Sequence, residues 1–342
     1  MKHFKDYTTA DGIHVLDLND RPWQAIKRGT KSVEVRANGA YSDFDHYQIK
    51  TGDTIRFINN ETEQTLEVKV VAVRQYQTVR ELLETEGTQR TLSSGKRVEG
   101  GIKSIHSITG YKEAIAKNGV FAIELKPVKP LLIAHRGNTR DYPENTLEAF
   151  ASAFELGADG IELDVHLNDS GEVIVVHNYL FDRSQLHPTL DEVLKKFGSK
   201  GRIEIEIKEL KLETIEKVKQ LIEKYQVQDF EITSSVIPLV SHIRAAFPNA
   251  LVGLIFRRWL IEDWMTPEFV SLWILKHLEL SGANVLHLDI DLYNQKLASD
   301  LKRAGIVLHT HLKSADEKTL QKVIELGINQ CTFDDPETLK VL

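Results

Sequence analysis

The sequence predicts an α/β protein in which a (β/α)₈ barrel follows a smaller, β-rich domain. Across residues 128–342, about 215 residues, eight strand-like segments alternate with amphipathic helical segments, as in a compact barrel of this kind. Residues 1–127 instead contain short strand-like runs between Gly, Asn and Asp turns. The two patterns meet at KPVKP, residues 126–130, where we place the domain boundary. A doubly wound open sheet is the alternative for the second domain.

The first domain is expected to be a small β-barrel, because short strands dominate it. One helical segment is predicted at 78–87, where it ends at Gly87. The stretch TLSSGKRVEGGIKS, residues 91–104, has no periodicity and is expected to be a loop. The predicted strands are at 32–36, 53–58, 65–76 and 120–125.

In the second domain, strands are predicted to begin near eight positions, each followed by a helix or loop. Chemistry in such barrels is located at the carboxyl ends of the strands. The predicted starts are Leu131, Gly160, Arg202, Asp229, Leu251, Asn284, Gly305 and Ile328. The predicted helices cover 146–156, 213–225, 237–247, 267–280, 294–304 and 314–326.

Charge and cysteine content exclude several classes of protein. The net charge of −7 argues against a general polyanion binder. Residues 1–127 hold 19 basic and 17 acidic residues, whereas residues 128–342 hold 24 and 33 and are expected to gather cations. Cys331 is the only cysteine, which excludes an intrachain disulfide and a thiolate metal site. The chain start lacks an apolar signal core and no apolar run approaches the ~20 residues of a membrane span, so we expect a cytoplasmic protein.

Two predicted strands direct charged side chains into the barrel. In GIELDVH, Glu162 and Asp164 share one face, because side chains on a strand alternate with a period of two. In RIEIEIKE, Glu204, Glu206 and Lys208 share one face in the same way. Burying such groups is costly unless opposite charges accompany them, so the pattern indicates a bound ion or an anionic ligand. An exposed edge strand is the alternative for RIEIEIKE, although a closed barrel has no edge.

The barrel half resembles the glycerophosphodiester phosphodiesterase family, whose fold is a TIM barrel. The resemblance lies in AHRGNTRDYPENTLEAF, GADGIELDVHLNDSGEVIVVHN, PTLDEVL and IEIK, in this order. It implies the hydrolysis of a glycerophosphodiester to sn-glycerol 3-phosphate and an alcohol. It also implies that His135 and His177 are the general acid and base, and that Arg136 and Lys208 face the phosphate.

The chemistry of the residues agrees with this resemblance. Glu162, Asp164 and Glu206 offer hard oxygen ligands, which suit one divalent cation, Mg²⁺ or Ca²⁺. Histidines, with an ordinary pKa near 6.5, can exchange protons at cellular pH. Glu144 and Asn145 follow the first strand and could complete the site. Asn145 could instead cap the next helix.

Three departures from the family bear on the substrate. Asn178 follows His177 where the family has Asp, and only about ten residues separate His177 from Pro188, where many members insert a small subdomain. His309 and His311 replace the family's Trp on the seventh strand, so either could meet a more polar substrate. Asp334 matches a late family acid and is expected to be a structural loop residue. A nucleotide- or polyol-containing diester is therefore an alternative substrate, and a catalytically inactive nucleotide or RNA sensor is the alternative from another class.

The first domain resembles the ASCH domain, a PUA-like β-barrel. The resemblance lies in RGTKSVEVRANG, IKTGDTIRF and VRQY, and its GxKxxExR motif is present as Gly29, Lys31, Glu34 and Arg36. It implies nucleotide or RNA binding, with Lys31, Glu34 and Arg36 lining a ligand cleft. Relatives that hydrolyse acetylated cytidine have threonine where Glu34 stands. A structural ion pair between Glu34 and Arg36 is the alternative.

Overall fold

The computed structural model of the 342-residue chain describes residues 6–10, 12–40, 42–94, 97–178, 186–312 and 316–341. It contains two compact units, Met1–Lys129 with Ala298–Val307, and Pro130–Leu297 with Leu308–Leu342. The first unit contains β1 (Tyr7–Thr8), β2 (His14–Leu18), α1 (Asp20–Lys27), β3 (Val33–Arg36), β4 (Thr54–Asn59), β5 (Thr65–Tyr76), α2 (Val79–Glu86), α3 (Thr88–Thr91), α4 (Val98–His106), α5 (Tyr111–Asn118) and β6 (Val120–Pro127).

The strands of the first unit form one six-stranded sheet in the order β1-β2-β4-β5-β6-β3. Strands β2 and β4 are parallel, and the other neighbours are antiparallel. Two hydrophobic clusters pack around the sheet. One is built on Phe57, Phe121 and Trp23, and the other includes Leu82 and Leu83 of α2.

The loop predicted for residues 91–104 was wrong, because α4 occupies Val98–His106. The paired glycines in this stretch have low helix propensity and conceal the helix from a local pattern. Packing explains one of them: a Cβ at Gly101 would lie 2.6 Å from a methyl carbon of Leu92 and 2.7 Å from one of Leu83. Tertiary contacts of Ile105 with the core therefore stabilise a helix that its own residues favour only weakly.

The second unit confirms the predicted (β/α)₈ barrel. Its eight parallel barrel strands form a continuous ring that the pairing of the second with the third strand closes, so the open-sheet alternative is wrong. The elements of residues 130–342, of which Ala298–Val307 is grouped with the first unit, are β7 (Leu131–His135), α6 (Leu147–Glu155), β8 (Gly160–Leu167), β9 (Val173–Val175), α7 (Leu190–Phe197), β10 (Arg202–Ile207), α8 (Leu212–Lys224), β11 (Phe230–Ser234), α9 (Ile237–Ala246), β12 (Leu251–Ile255), α10 (Pro267–Ser281), β13 (Val285–His287), α11 (Gln295–Arg303), β14 (Val307–Leu312), α12 (Glu317–Leu326), β15 (Gln330–Phe333) and α13 (Thr338–Val341).

Strand β10 shows how the sequence pattern positions charged groups in the interior. It pairs on both sides, with β8 and with β11, so it is not an edge strand. Ile203, Ile205 and Ile207 are fully buried on the face that alternates with the acids. Because side chains alternate across a strand, Glu204 and Glu206 then face the barrel interior.

A short hairpin follows β8 and was not predicted. Strand β9 pairs antiparallel with the end of β8, and the chain then reaches His177. Helix α7 begins after a capping box in which Thr189 and Glu192 bond each other's backbone. Residues 179–185, within the predicted short insert, lie outside the described residues. Among the helices that the structure describes, none has both the length and the apolarity to cross a membrane.

Gly137, two residues after the end of β7, allows a test of the local backbone geometry. Gly137 has φ +88°, and a Cβ there would lie 2.6 Å from the backbone carbonyl carbon of Ala149. Gly157 has φ +96° with nothing within 4 Å of such a Cβ. We predict that Gly157→Ala lowers the free energy of unfolding by ~1–2 kcal/mol through its backbone angle, and that Gly137→Ala costs ~1–3 kcal/mol more through the clash. Equal losses in urea unfolding would contradict this prediction.

Candidate functional site

Three carboxylates meet inside the carboxyl end of the barrel. Glu162 and Asp164 lie on β8, and Glu206 lies opposite Asp164 in the register of β10. All three side chains are buried, and one oxygen of each lies within 4.8 Å of the others. The structure thus brings together the three residues predicted as ligands, in an arrangement that can hold a cation.

Basic side chains surround this cluster. Lys208 Nζ lies 2.7 Å from Glu206 Oε2 and 3.2 Å from Asp164 Oδ1. Arg136 Nε lies 3.2 Å from Asp164 Oδ2. Arg257, which follows β12, donates from Nη2 to Glu206 Oε1 at 3.3 Å. Sequence analysis missed Arg257, because no local spacing relates it to the acids.

The buried charges act on one another. Burial, and then the charges of Asp164 and Glu206, raise the pKa of the Glu162 carboxyl well above its ordinary value. Burial also acts to raise the pKa of Asp164, but Lys208, Arg136 and a hydrogen bond from Asn145 outweigh it and lower that pKa. In the absence of a cation, one acid of the cluster therefore tends to keep its proton while its neighbour is ionised.

The loop after β7 adopts a conformation that serves the cluster. Arg136 and Asn145 have φ of +57° and +59°, and the Asn145 N–H donates to the Arg136 carbonyl at 3.0 Å. The Asn145 side-chain amide donates to Asp164 Oδ2, also at 3.0 Å. Thr146, not Asn145, caps α6 by accepting from the Ala149 N–H. The capping alternative for Asn145 is therefore wrong.

Glu144, on the same loop, orients Arg136. Its Oε2 accepts from Arg136 Nη1 at 2.8 Å. Although burial acts against ionisation, the carboxylates of Asp164 and Glu144 hold the pKa of Arg136 above its ordinary value. The guanidinium is thus a fixed positive charge beside the acidic cluster.

His135 belongs to a second group of ionisable residues at the same end of the barrel. Its Nδ1 lies 2.6 Å from Asp334 Oδ1, and its Nε2 lies 3.8 Å from Glu162 Oε2. His311 Nε2 lies 2.9 Å from the same Asp334 oxygen, and its ring centroid lies 4.6 Å from that of His135. Asp334 is therefore more than the structural loop residue that was predicted: it orients both imidazoles.

The protonation of this group follows from its burial and contacts. Burial lowers the pKa of His135 by more than its hydrogen bond with Asp334 raises it. Burial acts to raise the pKa of Asp334, but hydrogen bonds with His135 and His311 lower it below its ordinary value. A neutral imidazole held by an ionised carboxylate is an arrangement that can accept a proton.

His177 lies just past β9 and interacts electrostatically with Asp164 of the acidic cluster. Its Nδ1 is 3.1 Å from the side-chain oxygen of Asn178, the residue that replaces the family's Asp. Its charge contributes to the lowered pKa of Asp164, although burial, Lys208 and Arg136 act more strongly there. His177 is only partly buried, so a substrate can reach it.

The two histidines of β14 have different positions. His309 is 1 % exposed, and its Nε2 lies 2.5 Å from Thr332 Oγ1 in the barrel interior. A side chain buried in this way cannot contact a substrate at the barrel mouth, so that prediction was wrong for His309. The His311 side chain is 34 % exposed and lies beside His135, where a substrate could meet it.

In the first unit, the three predicted ASCH site residues contact one another. Glu34 lies 3.2 Å from Lys31 Nζ and 3.2 Å from Arg36 Nε, and all three side chains are buried. Arg36 also donates to the Asp17 carbonyl, and burial lowers the pKa of Lys31. The geometry is that of the structural ion pair, the alternative for this motif. A ligand cleft at these residues stays a prediction.

Fold and site together define a TIM-barrel enzyme with an acidic cluster and histidines at the carboxyl ends of its strands. The model of the glycerophosphoryl diester phosphodiesterase family matches residues 135–246, and that of the ASCH domain matches residues 16–129. A glycerophosphodiester phosphodiesterase of Caldanaerobacter subterraneus subsp. tengcongensis is 30% identical over 247 residues, covering 62% of this chain and 97% of the relative. The chain belongs to the glycerophosphodiester phosphodiesterase family and carries an ASCH domain at residues 16–129.

Solved structures share the barrel fold. An Oleispira antarctica phosphodiesterase in complex with the product sn-glycerol-3-phosphate is 22% identical, with a TM-score of 0.51, and covers 62% of this chain and 96% of its own. The structure of a glycerophosphodiester phosphodiesterase from Agrobacterium tumefaciens is 18% identical, with a TM-score of 0.51, and covers 62% of this chain and 100% of its own. At these identities the similarity shows the fold.

Removing the charge of Glu162 should stabilise the metal-free protein. The raised pKa of Glu162 means that the folded protein keeps a proton that the unfolded chain loses near 4.5, so stability is lost as pH rises through the folded-state pKa. We predict that Glu162→Gln raises the free energy of unfolding in EDTA at about pH 8 by on the order of 1 kcal/mol, with no gain at about pH 4.

Urea unfolding across this pH range measures the effect. Glu213→Gln is the matched control, because Glu213 is exposed and pairs with Lys217 of the same helix at 3.2 Å. The same gain in both variants, or a gain for Glu162→Gln that is independent of pH, would contradict the prediction.

Proposed function

We propose that this protein hydrolyses glycerophosphodiesters to sn-glycerol 3-phosphate and an alcohol, using one divalent cation, Mg²⁺ or Ca²⁺. The observation that carries the proposal is the convergence of Glu162, Asp164 and Glu206, with His135 3.8 Å from Glu162. The similarity in fold to a phosphodiesterase whose complex contains sn-glycerol-3-phosphate is consistent with it. The chemistry requires neutralisation of the phosphoryl oxygens and a proton for the leaving alkoxide.

Glu162, Asp164 and Glu206 are the residues that would hold the cation. Three buried carboxylates within 4.8 Å suit a hard divalent ion, and its charge would remove the repulsion that raises the pKa of Glu162. When bound, such an ion neutralises phosphoryl oxygens and lowers the pKa of a coordinated hydroxyl.

Arg136 and Lys208 would bind the phosphate from the protein side. Both already face carboxylates of the cluster, at distances of 2.7–3.2 Å. Arg136 offers a planar fork of N–H donors, and Glu144 keeps it oriented. Arg257, whose guanidinium contacts Glu206, would be a third positively charged side chain that binds the phosphate.

His135 is proposed as the general base. Asp334 engages its Nδ1, so Nε2 is the nitrogen left to take a proton from the attacking hydroxyl, which is water or the substrate's own glycerol hydroxyl. The lowered pKa of His135 favours the neutral form that accepts a proton. His177 would protonate the leaving alkoxide.

A nucleotide- or polyol-containing diester remains a second candidate substrate. The exposed edge of His311 beside His135 favours it, because an imidazole there can hydrogen-bond a polar substituent. We also propose a nucleotide or RNA ligand for the ASCH domain and a cytoplasmic location. These parts rest on the motif and the composition.

Substitution of either histidine should abolish most turnover. We predict that His135→Ala and His177→Ala each lower kcat on glycerophosphocholine by at least ~10²-fold, because a proton transfer is lost. The exposed His242 of α9 provides the control, and His242→Ala should retain the wild-type rate. The acidic limb of the wild-type pH profile should fall below the ordinary histidine value of 6.5. Full activity in either variant would refute the assignment.

Removal of divalent cations should stop the reaction. We predict that EDTA abolishes the release of sn-glycerol 3-phosphate from glycerophosphocholine and glycerophosphoglycerol, and that Mg²⁺ or Ca²⁺ restores it, because the phosphoryl charge is otherwise not neutralised. A CDP-linked polyol serves as the third substrate. Turnover of that substrate alone would favour the second candidate, and EDTA-resistant turnover would contradict the cation requirement.

A further inference from the structure

A second group of metal-ligating side chains lies deeper in the barrel. It comprises Glu204 on β10, Glu231 on β11, His287 on β13 and His309 on β14. One ligand atom from each lies within 4.8 Å of the others, and none of the four residues is more than 9 % exposed. Glu204 is two residues before Glu206 on the same strand. This group therefore lies ~7 Å further from the carboxyl ends of the strands than the proposed catalytic cluster does.

The hydrogen bonds assign the tautomers of the two histidines. His287 Nε2 lies 2.6 Å from Glu231 Oε1 and donates to it, because a carboxylate only accepts. The amide nitrogen of Gln330 donates to His309 Nδ1 at 3.1 Å, and His309 Nε2 donates to Thr332. The Nδ1 atoms of both neutral imidazoles therefore carry lone pairs.

Both Nδ1 atoms lie near a carboxylate. His287 Nδ1 lies 3.6 Å from Glu204 Oε1, and His309 Nδ1 lies 3.7 Å from Glu204 Oε2. Glu204 is buried, and within the described part of the chain its Oε2 accepts no hydrogen bond. Acceptors that face one another repel unless a proton or a cation lies among them. Burial, and then the charge of Glu231, raise the pKa of Glu204, so a proton competes with a cation for this position.

The charges of the neighbouring residues also favour a bound cation. Asp229 and Glu231 bring two negative charges, and Glu204 brings a third when a cation displaces its proton; Arg202 contacts both Asp229, at 2.6 Å, and Glu231, at 3.5 Å. With Glu204 ionised and the histidines neutral, this set has two negative charges in excess. One divalent cation cancels that excess.

A glycine keeps the space open around the group. A Cβ at Gly253 on β12 would lie 2.7 Å from Glu231 Oε1 and 2.8 Å from His287 Nε2. The rings of His287 and His309 are stacked, with centroids 3.7 Å apart, and the Nδ1 atom of each lies within 3.7 Å of a Glu204 oxygen. Atoms bound to one Zn²⁺ ion in a tetrahedral site lie about 3.3 Å apart, close to the distances between these atoms and Glu204.

We propose that Glu204, His287 and His309 bind a Zn²⁺-like divalent ion in the barrel interior, with Glu231 holding the far nitrogen of His287. A carboxylate that accepts from the other nitrogen of a metal-bound imidazole is the usual support of such a ligand. Imidazole donors select Zn²⁺ over Mg²⁺ or Ca²⁺, so this site and the acidic cluster differ in the ion they take. The ion replaces the Gln330 N–H at His309 Nδ1 and stabilises the barrel. The proposal is independent of the proposed function.

Metal content of the untagged, full-length protein tests the site. The protein is loaded with Zn²⁺, or with Co²⁺ as a spectroscopic substitute, and then passed over a chelating column. The expected result is about one retained equivalent of Zn²⁺, a Co²⁺ spectrum typical of nitrogen ligands, and a rise in Tm on loading. Wild-type protein that retains no ion under these conditions overturns the proposal, and the polar network is then held by protons alone.

Two substitutions of similar shape and one matched control locate the ion. Glu204→Gln and His309→Gln should each lower Zn²⁺ affinity at least about tenfold and remove the rise in Tm. Glu206→Gln, two residues along the same strand in the other cluster, should retain the ion and the rise. Undiminished binding in Glu204→Gln, or an equal loss in Glu206→Gln, would contradict the assignment. If His309→Gln does not fold, the wild-type Co²⁺ spectrum and Glu204→Gln still decide.

Discussion

The constraint on which this structure depends is the desolvation of carboxylates inside the barrel. Three neighbouring strands direct five of them into the interior, each with at most 6 % of its surface exposed: Glu162, Asp164, Glu204, Glu206 and Glu231. Each buried charge costs several kcal/mol unless opposite charge or a proton accompanies it. The basic and imidazole side chains around these acids are therefore as necessary to the barrel as its apolar core.

The barrel meets this constraint differently at two depths. At the carboxyl ends of the strands, Lys208 and Arg136 neutralise the acids and remain partly exposed, so a ligand can draw them away. One layer deeper, Arg202 is fully buried and donates to Gln330, so solvent does not reach it. Exchangeable partners suit a reaction cycle, whereas fixed partners suit a structural role.

A feature of this structure could be predicted from the sequence when the residues that cause it lie close together in the chain. Period-two alternation predicted that Glu206 faces the interior, because it requires only spacing along one strand. The bond between His135 and Asp334 joins residues 199 positions apart, and the contact of Arg257 with Glu206 depends on a loop conformation. Neither has a local signal. Helix α4 was missed for the same reason, since the packing that stabilises it around Gly101 is tertiary.

The position of Lys208 between Asp164 and Glu206 has a thermodynamic consequence for the proposed reaction. A cation that enters the cluster must compete with the ammonium group for the same oxygens. A phosphate that attracts Lys208 removes this competition, and a bound cation in turn frees Lys208 for the phosphate. Linkage requires that each ligand strengthens the other by the same factor. In the proposed reaction, Lys208 would thus make cation and substrate cooperative ligands of one site.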